Sequence, residues 1–265
     1  MKEIASIAAL LAGIYIAFSA FLYLYQRKLI FFPVPSDSEF SAQEINIDNQ
    51  QTRLHGWVLN PGKPGAIVYF GGNSEMITHR RDFFDDVFRE YTVYLVNYRG
   101  YGNSEGKPSE AGLFSDALAI YDSIAGRHDS VIAYGRSLGS GVAVYLAAMR
   151  PLEKLILLTP YDSVAAIGQK SYPFFPVRYL IKDRFDSVAL AGRIEVPVLI
   201  SAAELDRDIK LSHTLALKQA FTRAAVDFQV IAGAAHNDIV DFPDYRDAVR
   251  NFVLREGPGI RPGDS

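Results

Sequence analysis

A serine flanked by glycines is the feature of this chain best suited to covalent chemistry. Residues 135–139 are Gly-Arg-Ser-Leu-Gly, between the apolar run 131–134 and the small-residue run 140–144. A strand that turns sharply at a serine and enters a helix presents the hydroxyl for attack, because the glycines allow the tight turn and the helix N-terminus directs N–H groups towards it. The pattern therefore predicts that Ser137 is a nucleophile.

The same glycine–serine–glycine spacing occurs a second time, at residues 102–106 around Ser104. A predicted strand at 92–97 precedes it, but Pro108 follows, and proline disfavours a helix at the residue before it. The next helix is predicted to begin near Ser109. We therefore interpret Ser104 as part of a glycine-rich surface loop.

A serine nucleophile needs a base, and the base needs an orienting acid. Where the serine lies on a strand-to-helix turn, the acid follows it in the chain and the histidine follows the acid. His236 lies in a loop of small residues directly after the last predicted strand, whereas His213 lies at the opening of a predicted helix. We favour His236 as the base. The order excludes the other three histidines, His55, His79 and His128.

The acid is expected after the preceding strand, 198–201, whose continuous apolar character is typical of a strand buried in a parallel sheet. Glu204, Asp206 and Asp208 follow it. Asp206 is the first choice, because a short loop is needed before the side chain can turn towards the histidine. Its neighbours stay as alternatives.

An oxyanion needs two backbone N–H donors. The amide of Leu138, directly after the nucleophile, is predicted to be one of them. The other is expected after the strand at 66–70, where the pair Gly71 and Gly72 permits the backbone to approach a ligand closely. We predict Asn73 as this second donor, with Ser74 as the alternative.

These residues resemble a known family, the membrane-anchored α/β-hydrolase-fold proteins of the serine-aminopeptidase-like group. The resemblance implies a Ser-His-Asp hydrolase with Ser137 as nucleophile, Asp206 as acid and His236 as base. This chain departs from the common pattern at Gly71, where relatives commonly carry histidine, and in the loop between Ala203 and Lys210, where they commonly carry glycine and proline. The similar segments cover nearly all of the chain: 25–30, 71–73, 98–104, 135–139, the stretch from 206, and 233–238.

Composition excludes several function classes. The 265 residues are 49% apolar, enough for one well-buried core. A net charge of −3 argues against nucleic acid as the main partner. The chain has no cysteine, which excludes disulfides and thiolate chemistry, and no motif with clustered metal ligands. We expect no metal and no cofactor.

The N-terminus is predicted to be a membrane anchor at residues 1–28. No charged side chain lies between Glu3 and Arg27. As a helix, residues 4–25 would be about 33 Å long, enough to cross a hydrocarbon core of about 30 Å. A cleaved signal peptide with its site near 17–19 is the alternative, but the sequence stays apolar beyond that site. Basic residues flank the span on both sides, so its orientation is undecided.

The spacing of apolar segments predicts an α/β-hydrolase fold, a mostly parallel eight-stranded sheet with crossover helices and an antiparallel start. A linker at 29–42 would join the anchor to a hydrolase domain at 43–256. The tail at 257–265 is predicted to be disordered. The predicted strands are 44–47, 54–59, 66–70, 92–97, 131–134, 155–158, 198–201 and 228–231.

Residues 159–195 form the longest gap between the late strands. The run 172–176, Tyr-Pro-Phe-Phe-Pro, is too apolar and too rich in proline for an ordinary crossover. We interpret the segment as a small cap over the site, with core packing as the alternative.

We thus predict a membrane-tethered serine hydrolase acting on ester or thioester bonds of small-molecule or lipid-like acyl substrates. One alternative is an aminopeptidase, in which Glu75 could hold a substrate ammonium group. The other is a catalytically silent binding module of the same fold.

Overall fold

An eight-stranded sheet forms the centre of the molecule in the computed structural model, which describes residues 1–255. The predicted tail at 257–265 lies outside these residues. The strands are β1 Gln43–Asn49, β2 Thr52–Leu59, β3 Gly65–Phe70, β4 Tyr91–Val96, β5 Ser130–Arg136, β6 Lys154–Leu158, β7 Val198–Ala203 and β8 Val226–Ile231. The α-helices are α1 Lys2–Ile30, α2 Arg81–Val87, α3 Glu110–Ile124, α4 Leu138–Met149, α5 Val164–Ser171, α6 Val177–Leu180, α7 Ser187–Ala191, α8 Leu211–Ala220 and α9 Pro243–Leu254. Short 3-10 turns occupy Ile77–Arg80, Ala125–Arg127 and Ile239–Asp241.

The sheet has the order β1-β2-β4-β3-β5-β6-β7-β8. Strand β2 is antiparallel to both β1 and β4, and the pairs from β4 through β8 are parallel. The predicted fold is confirmed, including the antiparallel start. Because β3, β5, β7 and β8 run in the same direction, the loops that follow them leave from one edge of the sheet.

Helices cover both faces of the sheet, which is why its central strands are apolar on both sides. On β5, Val131 and Ala133 pack into the core beneath α3, α4 and α8, whereas Ile132 and Tyr134 pack into the core beneath α2 and α9. All six residues of β3 are buried. The sheet therefore forms a rigid platform for the loops at its carboxyl edge.

The segment 159–195 carries the helices α5, α6 and α7. Its ends are anchored in the core through Tyr161 and Phe185, both buried. Its middle, with Tyr172 and Phe174, is exposed. The segment thus combines core packing at its ends with a projecting middle, while its role as a cap stays a prediction.

Helix α1 is long and apolar enough to cross a membrane, by length and composition. The residues that follow it are held on the domain. Phe31 is buried and lies 6.1 Å from the ring of Phe185, and the amide of Phe32 donates to Asn73 Oδ1 at 3.0 Å. The end of α1 is therefore fixed relative to the loop after β3.

Candidate active site

Three side chains from distant parts of the chain form a hydrogen-bonded series at the carboxyl edge of the sheet. His236 Nε2 lies 3.0 Å from Ser137 Oγ, and His236 Nδ1 lies 2.7 Å from Asp206 Oδ2. Ser137 follows β5, Asp206 follows β7 and His236 follows β8. The structure brings together the three residues that the sequence singled out. Their catalytic roles stay predictions.

The backbone at Ser137 is forced into an uncommon conformation by the packing around it. Its φ is 49°, a value that side-chain-bearing residues rarely adopt. A Cβ at position 139 would lie 2.0 Å from Phe70 O, and one at position 135 would lie 2.4 Å from Gly139 O. The two glycines thus let α4 begin directly against the end of β3, and the serine takes up the strain of the turn.

The loops that carry Asp206 and His236 are bonded to each other. The Leu205 amide donates to Ala234 O at 2.8 Å, and the Gly233 amide donates to the Glu204 carboxylate at 2.8 Å. Asp206 Oδ1 accepts from two amides of its own loop, which leaves Oδ2 directed at the imidazole. The unusual ends of this loop, Ala203 and Lys210, are thus compatible with a well-oriented carboxylate.

The alternative residues belong to other networks. Ser104 is buried, and its hydroxyl donates to Asn97 O at 3.0 Å and accepts from the His55 amide at 2.9 Å. His213 Nδ1 lies 2.8 Å from Asp162 Oδ1. Ser104 lies in a loop, as predicted, but it is buried and ties that loop to β2, whereas a surface loop was expected. His213 is paired with Asp162.

The two predicted oxyanion donors border the same cavity as Ser137. The Leu138 amide opens α4 and so has no acceptor one turn earlier in the helix. The Asn73 side chain is engaged elsewhere: its Oδ1 accepts from the Phe32 amide at 3.0 Å and from the Tyr101 hydroxyl at 2.8 Å. This leaves the backbone of Asn73 as the part able to serve a ligand, and that role stays a prediction.

A buried ionic network lies under the site, and the sequence analysis did not predict it. The Glu75 carboxylate accepts from Arg80 at 2.6 Å and from Arg136 at 3.1 Å. Arg136 also donates to Asn237 Oδ1 at 2.7 Å and to His236 O at 3.1 Å. One feature of the sequence could have indicated this network. Arg136 lies between an apolar strand and the candidate nucleophile, a position that becomes buried.

Close packing at this turn explains the double glycine after β3, and the network accounts for Gly72. A Cβ at position 72 would lie 2.5 Å from Arg136 Nη1, and one at position 71 would lie 2.7 Å from Ile77 Cγ2. The guanidinium therefore occupies the space that a side chain at position 72 would need. A side chain at position 71 would likewise need the space that the Ile77 side chain occupies.

The charges of the network determine the ionisation of Glu75. Burial alone would raise the pKa of this carboxyl group, but the guanidinium groups of Arg136 and Arg80 outweigh burial and keep the pKa below its usual value. Burial raises the pKa of the neighbouring Tyr69 hydroxyl, so Tyr69 stays a neutral donor to Glu75. Because the Glu75 side chain is only 6% exposed and fully paired, it does not fit the predicted role of holding a substrate ammonium group.

Two cavities of different character meet at Ser137. One of about 540 Å³ is mostly apolar and lies between α1 and the segment 159–195, reaching Ser137 and Leu138. The other, of about 660 Å³, is bordered by polar side chains. Ser137 and Asp208 border both cavities. The polar lining consists chiefly of His79, Arg80, Arg136, His236 and Asn237.

The donor atoms of Asp206, Asp208 and His236 lie within 4.8 Å of one another, close enough to share a metal ion. Both ring nitrogens of His236 already have partners, Ser137 and Asp206. The arrangement therefore fits a proton relay better than a metal site.

Comparison with known proteins identifies relatives across the whole hydrolase domain. Residues 54–254 match the model of the alpha/beta hydrolase family. An uncharacterized Mycobacterium tuberculosis protein is 33% identical over 253 residues, covering 88% of this chain and 89% of that protein. The alpha/beta hydrolase domain-containing protein WAV2 of Arabidopsis thaliana is 26% identical, covering 80% of each chain. A solved esterase structure from Pyrococcus furiosus superimposes with a TM-score of 0.68 at 18% identity, covering 84% of this chain and 97% of the esterase.

We expect Glu75→Gln to lower the free energy of unfolding by about 3 kcal/mol at neutral pH, because Arg80 and Arg136 lose their buried counter-charge. Since the pKa of Glu75 is lowered by folding, its stabilising contribution is present above the usual glutamate pKa of about 4.3 and is lost as the pH falls through the lower folded value. Chemical denaturation at several pH values would measure this difference.

The matched control is Glu90→Gln, since the Glu90 side chain is 77% exposed and pairs with Lys63 at the surface. It should change stability by less than about 0.5 kcal/mol. Equal stabilities for the two variants at neutral pH would contradict the role given to Glu75.

Proposed function

Because the chain belongs to the alpha/beta hydrolase family, we propose that it is a membrane-tethered serine hydrolase that cleaves ester or thioester bonds of acyl substrates. One observation carries the proposal: the hydrogen-bonded series of Ser137, His236 and Asp206 lies where an apolar and a polar cavity meet. The esterase likeness supports the fold that the proposal requires.

In the proposed first step, Ser137 Oγ attacks the carbonyl carbon of the substrate while His236 Nε2 accepts the hydroxyl proton. The electron pair of the C=O bond moves to the oxygen, which faces the amides of Leu138 and Asn73. Asp206 holds the imidazole in the required tautomer and stabilises the imidazolium.

The intermediate then releases its leaving group. The C–O or C–S bond breaks, and His236 gives its proton to the departing alcohol or thiol, leaving the acyl group on Ser137. A water molecule attacks this acyl-enzyme with His236 again taking a proton. The bond between the acyl carbon and Ser137 Oγ then breaks, His236 returns the proton to Oγ, and the carboxylic acid leaves.

The two cavities suit the two parts of such a substrate. An acyl chain would lie in the apolar cavity, whose size of about 540 Å³ is within the range of ligand sites. A polar leaving group would lie in the second cavity, against Arg80 and Asn237. An ester or thioester with one apolar and one polar part therefore fits both.

A second candidate function is that of an aminopeptidase, and one observation supports it. Asp208 is exposed and borders both cavities, so its carboxylate could hold a substrate ammonium group. The apolar lining of the cavity between α1 and the segment 159–195 favours acyl substrates over this alternative. A silent binding module would not need the hydrogen-bonded relay at Ser137.

The membrane tether is proposed to be helix α1, as one single-pass anchor. Its length and apolar composition support this role. The aromatic residues near its end, together with Arg27 and Lys28, suit a membrane–water interface.

We expect Ser137→Ala to reduce ester hydrolysis by about 10⁴-fold or more and to abolish labelling by a fluorophosphonate, because the nucleophile is lost. Ser104→Ala should keep activity within about threefold and instead cost about 1–2 kcal/mol of stability, since it loses buried hydrogen bonds. Peptide mapping of the labelled protein checks the site. Comparable loss of activity in both variants would refute Ser137 as the nucleophile.

The relay is tested by paired substitutions. Asp206→Asn should lower kcat by about 10⁴-fold, because the imidazole loses the acceptor that orients it. Asp208→Asn should have a much smaller effect. In the same way, His236→Ala should cost far more activity than His213→Ala. A larger loss from Asp208→Asn would transfer the acid role to Asp208.

The substrate class is tested by comparing the turnover of two kinds of substrate, acyl esters and aminoacyl anilides. Turnover of p-nitrophenyl acyl esters of increasing length should rise with chain length and exceed that of aminoacyl p-nitroanilides, since the apolar cavity can hold a chain. Faster cleavage of the anilides, together with its loss in Asp208→Asn, would favour the aminopeptidase.

A further inference from the structure

One wall of the apolar cavity is helix α1 itself. The segment 159–195 supplies another wall, and Ser137 and Leu138 also border the cavity. From Ser19 to Ile30 the helical wall is about 16 Å long. The α1 residues that line the cavity are Ser19, Leu22, Tyr23, Gln26, Leu29 and Ile30.

Specific contacts hold α1 against the segment 159–195. The ring of Tyr15 stacks on Phe175 with centroids 5.0 Å apart, and the Tyr15 hydroxyl donates to Phe174 O at 3.0 Å. Near its other end, Arg27 forms a 2.9 Å ion pair with the buried Asp183. These contacts extend over about 18 Å of the helix. The helix and the segment therefore form one unit around the cavity.

The position of these contacts along α1 indicates how deep the segment would lie in a bilayer. Tyr15 precedes Tyr25 by about 15 Å along the helix axis, which is half of a hydrocarbon core of about 30 Å. Phe174 and Tyr179 are 84% and 73% exposed. Such an exposed aromatic surface beside an apolar helix suits contact with lipid rather than water.

Basic side chains mark the level of the membrane surface. Lys182 Nζ lies 4.4 Å from the ring centroid of Tyr23, and Lys28 Nζ lies 5.4 Å from that of Tyr25. Tyrosine paired with lysine is typical of the zone between acyl chains and head groups. Asn73, which borders the same cavity as Ser137, accepts from the Phe32 amide just beyond the end of α1. The Ser137 end of the cavity therefore lies towards the head groups, while its other end, at Ser19, lies within the apolar span.

We propose that α1 forms part of the substrate site, and that the substrate is a bilayer-resident acyl lipid whose chain enters between α1 and residues 172–180. The chain would extend along Leu22 towards the bilayer, with its carbonyl group at Ser137 and its polar part in the second cavity. This inference rests on the proposed hydrolase function. It adds that the substrate comes from the bilayer, and it names the residues that determine the preferred chain length.

The first test narrows the cavity from the α1 side. In the full-length protein in nanodiscs, Leu22→Trp should lower kcat/KM for p-nitrophenyl palmitate by about tenfold, since the added bulk occupies the path of the chain. The loss should be specific to the long chain, so the ratio of kcat/KM for p-nitrophenyl palmitate to that for p-nitrophenyl acetate should fall by about tenfold relative to wild type.

The control is Leu24→Trp, because Leu24 is 73% exposed and is not among the described residues that line the cavity. It should leave kcat/KM for both esters within about twofold of wild type. Equal fluorophosphonate labelling of all three proteins would show that the fold is intact. Identical chain-length profiles for Leu22→Trp and Leu24→Trp would overturn the proposal.

The second test measures depth, and the absence of cysteine from the sequence makes it simple. Phe174→Cys and Glu90→Cys each provide a unique site for a fluorescent label, in nanodiscs containing lipids brominated midway along their chains. The label at 174 should lose fluorescence and the label at 90 should not. An unquenched label at 174 would overturn entry from the bilayer.

The two proposals fail in different ways. If wild-type protein neither takes up the fluorophosphonate nor hydrolyses p-nitrophenyl acetate, the hydrolase function is wrong. If it does both, but Leu22→Trp leaves palmitate hydrolysis unchanged, the hydrolase function stands and only the role of α1 is wrong.

Discussion

The carboxylate of Glu75, buried between Arg80 and Arg136, is the interaction around which the loops of the site are arranged. It accepts from the amide of Gly72 and so fixes the turn after β3. Through Arg136 it also reaches the backbone of His236. A buried charge is costly unless it is paired. The turn after β3, the turn at Ser137 and the loop of His236 therefore cannot move apart without exposing a charged group or leaving it unpaired. The electrostatic constraint thereby holds the turn after β3, Ser137 and His236 in one arrangement.

The sheet supplies the second constraint, since its parallel strands bring loops distant in the chain to a common edge. The loops after β7 and β8 are then joined by hydrogen bonds through Leu205 and Gly233. These bonds orient Asp206 towards His236 without any contribution from Ser137. Asp206 and His236 thus form a preorganised pair, and the strained turn at Ser137 brings the hydroxyl to it.

The division of the site into an apolar and a polar cavity follows from what surrounds the sheet edge. On one side lie α1 and the segment 159–195, which supply apolar side chains. On the other side lie the charged turn after β3 and the loop after β8. Because α1 contacts this segment along much of its length, any movement of the helix would change the shape of the cavity. The N-terminal helix and the hydrolase domain are in this respect one structure.

The sequence by itself determined the eight strands, the strand-to-helix turn at Ser137 and the distinction from Ser104, because apolar runs, flanking glycines and Pro108 are local signals. Chain order also predicted Asp206 and His236, and the structure brings these side chains to Ser137, although the choice of Asp206 over its neighbours needed the loop geometry. Only the tertiary structure decided that Glu75 is an ion-paired centre and that α1 lines the cavity. Glu75 and Arg136 are separated by 61 residues, and Tyr15 and Phe174 by 159. Contacts at such separations arise from the packing of whole helices and strands. They therefore cannot be predicted from sequence periodicity or from neighbouring residues in the chain.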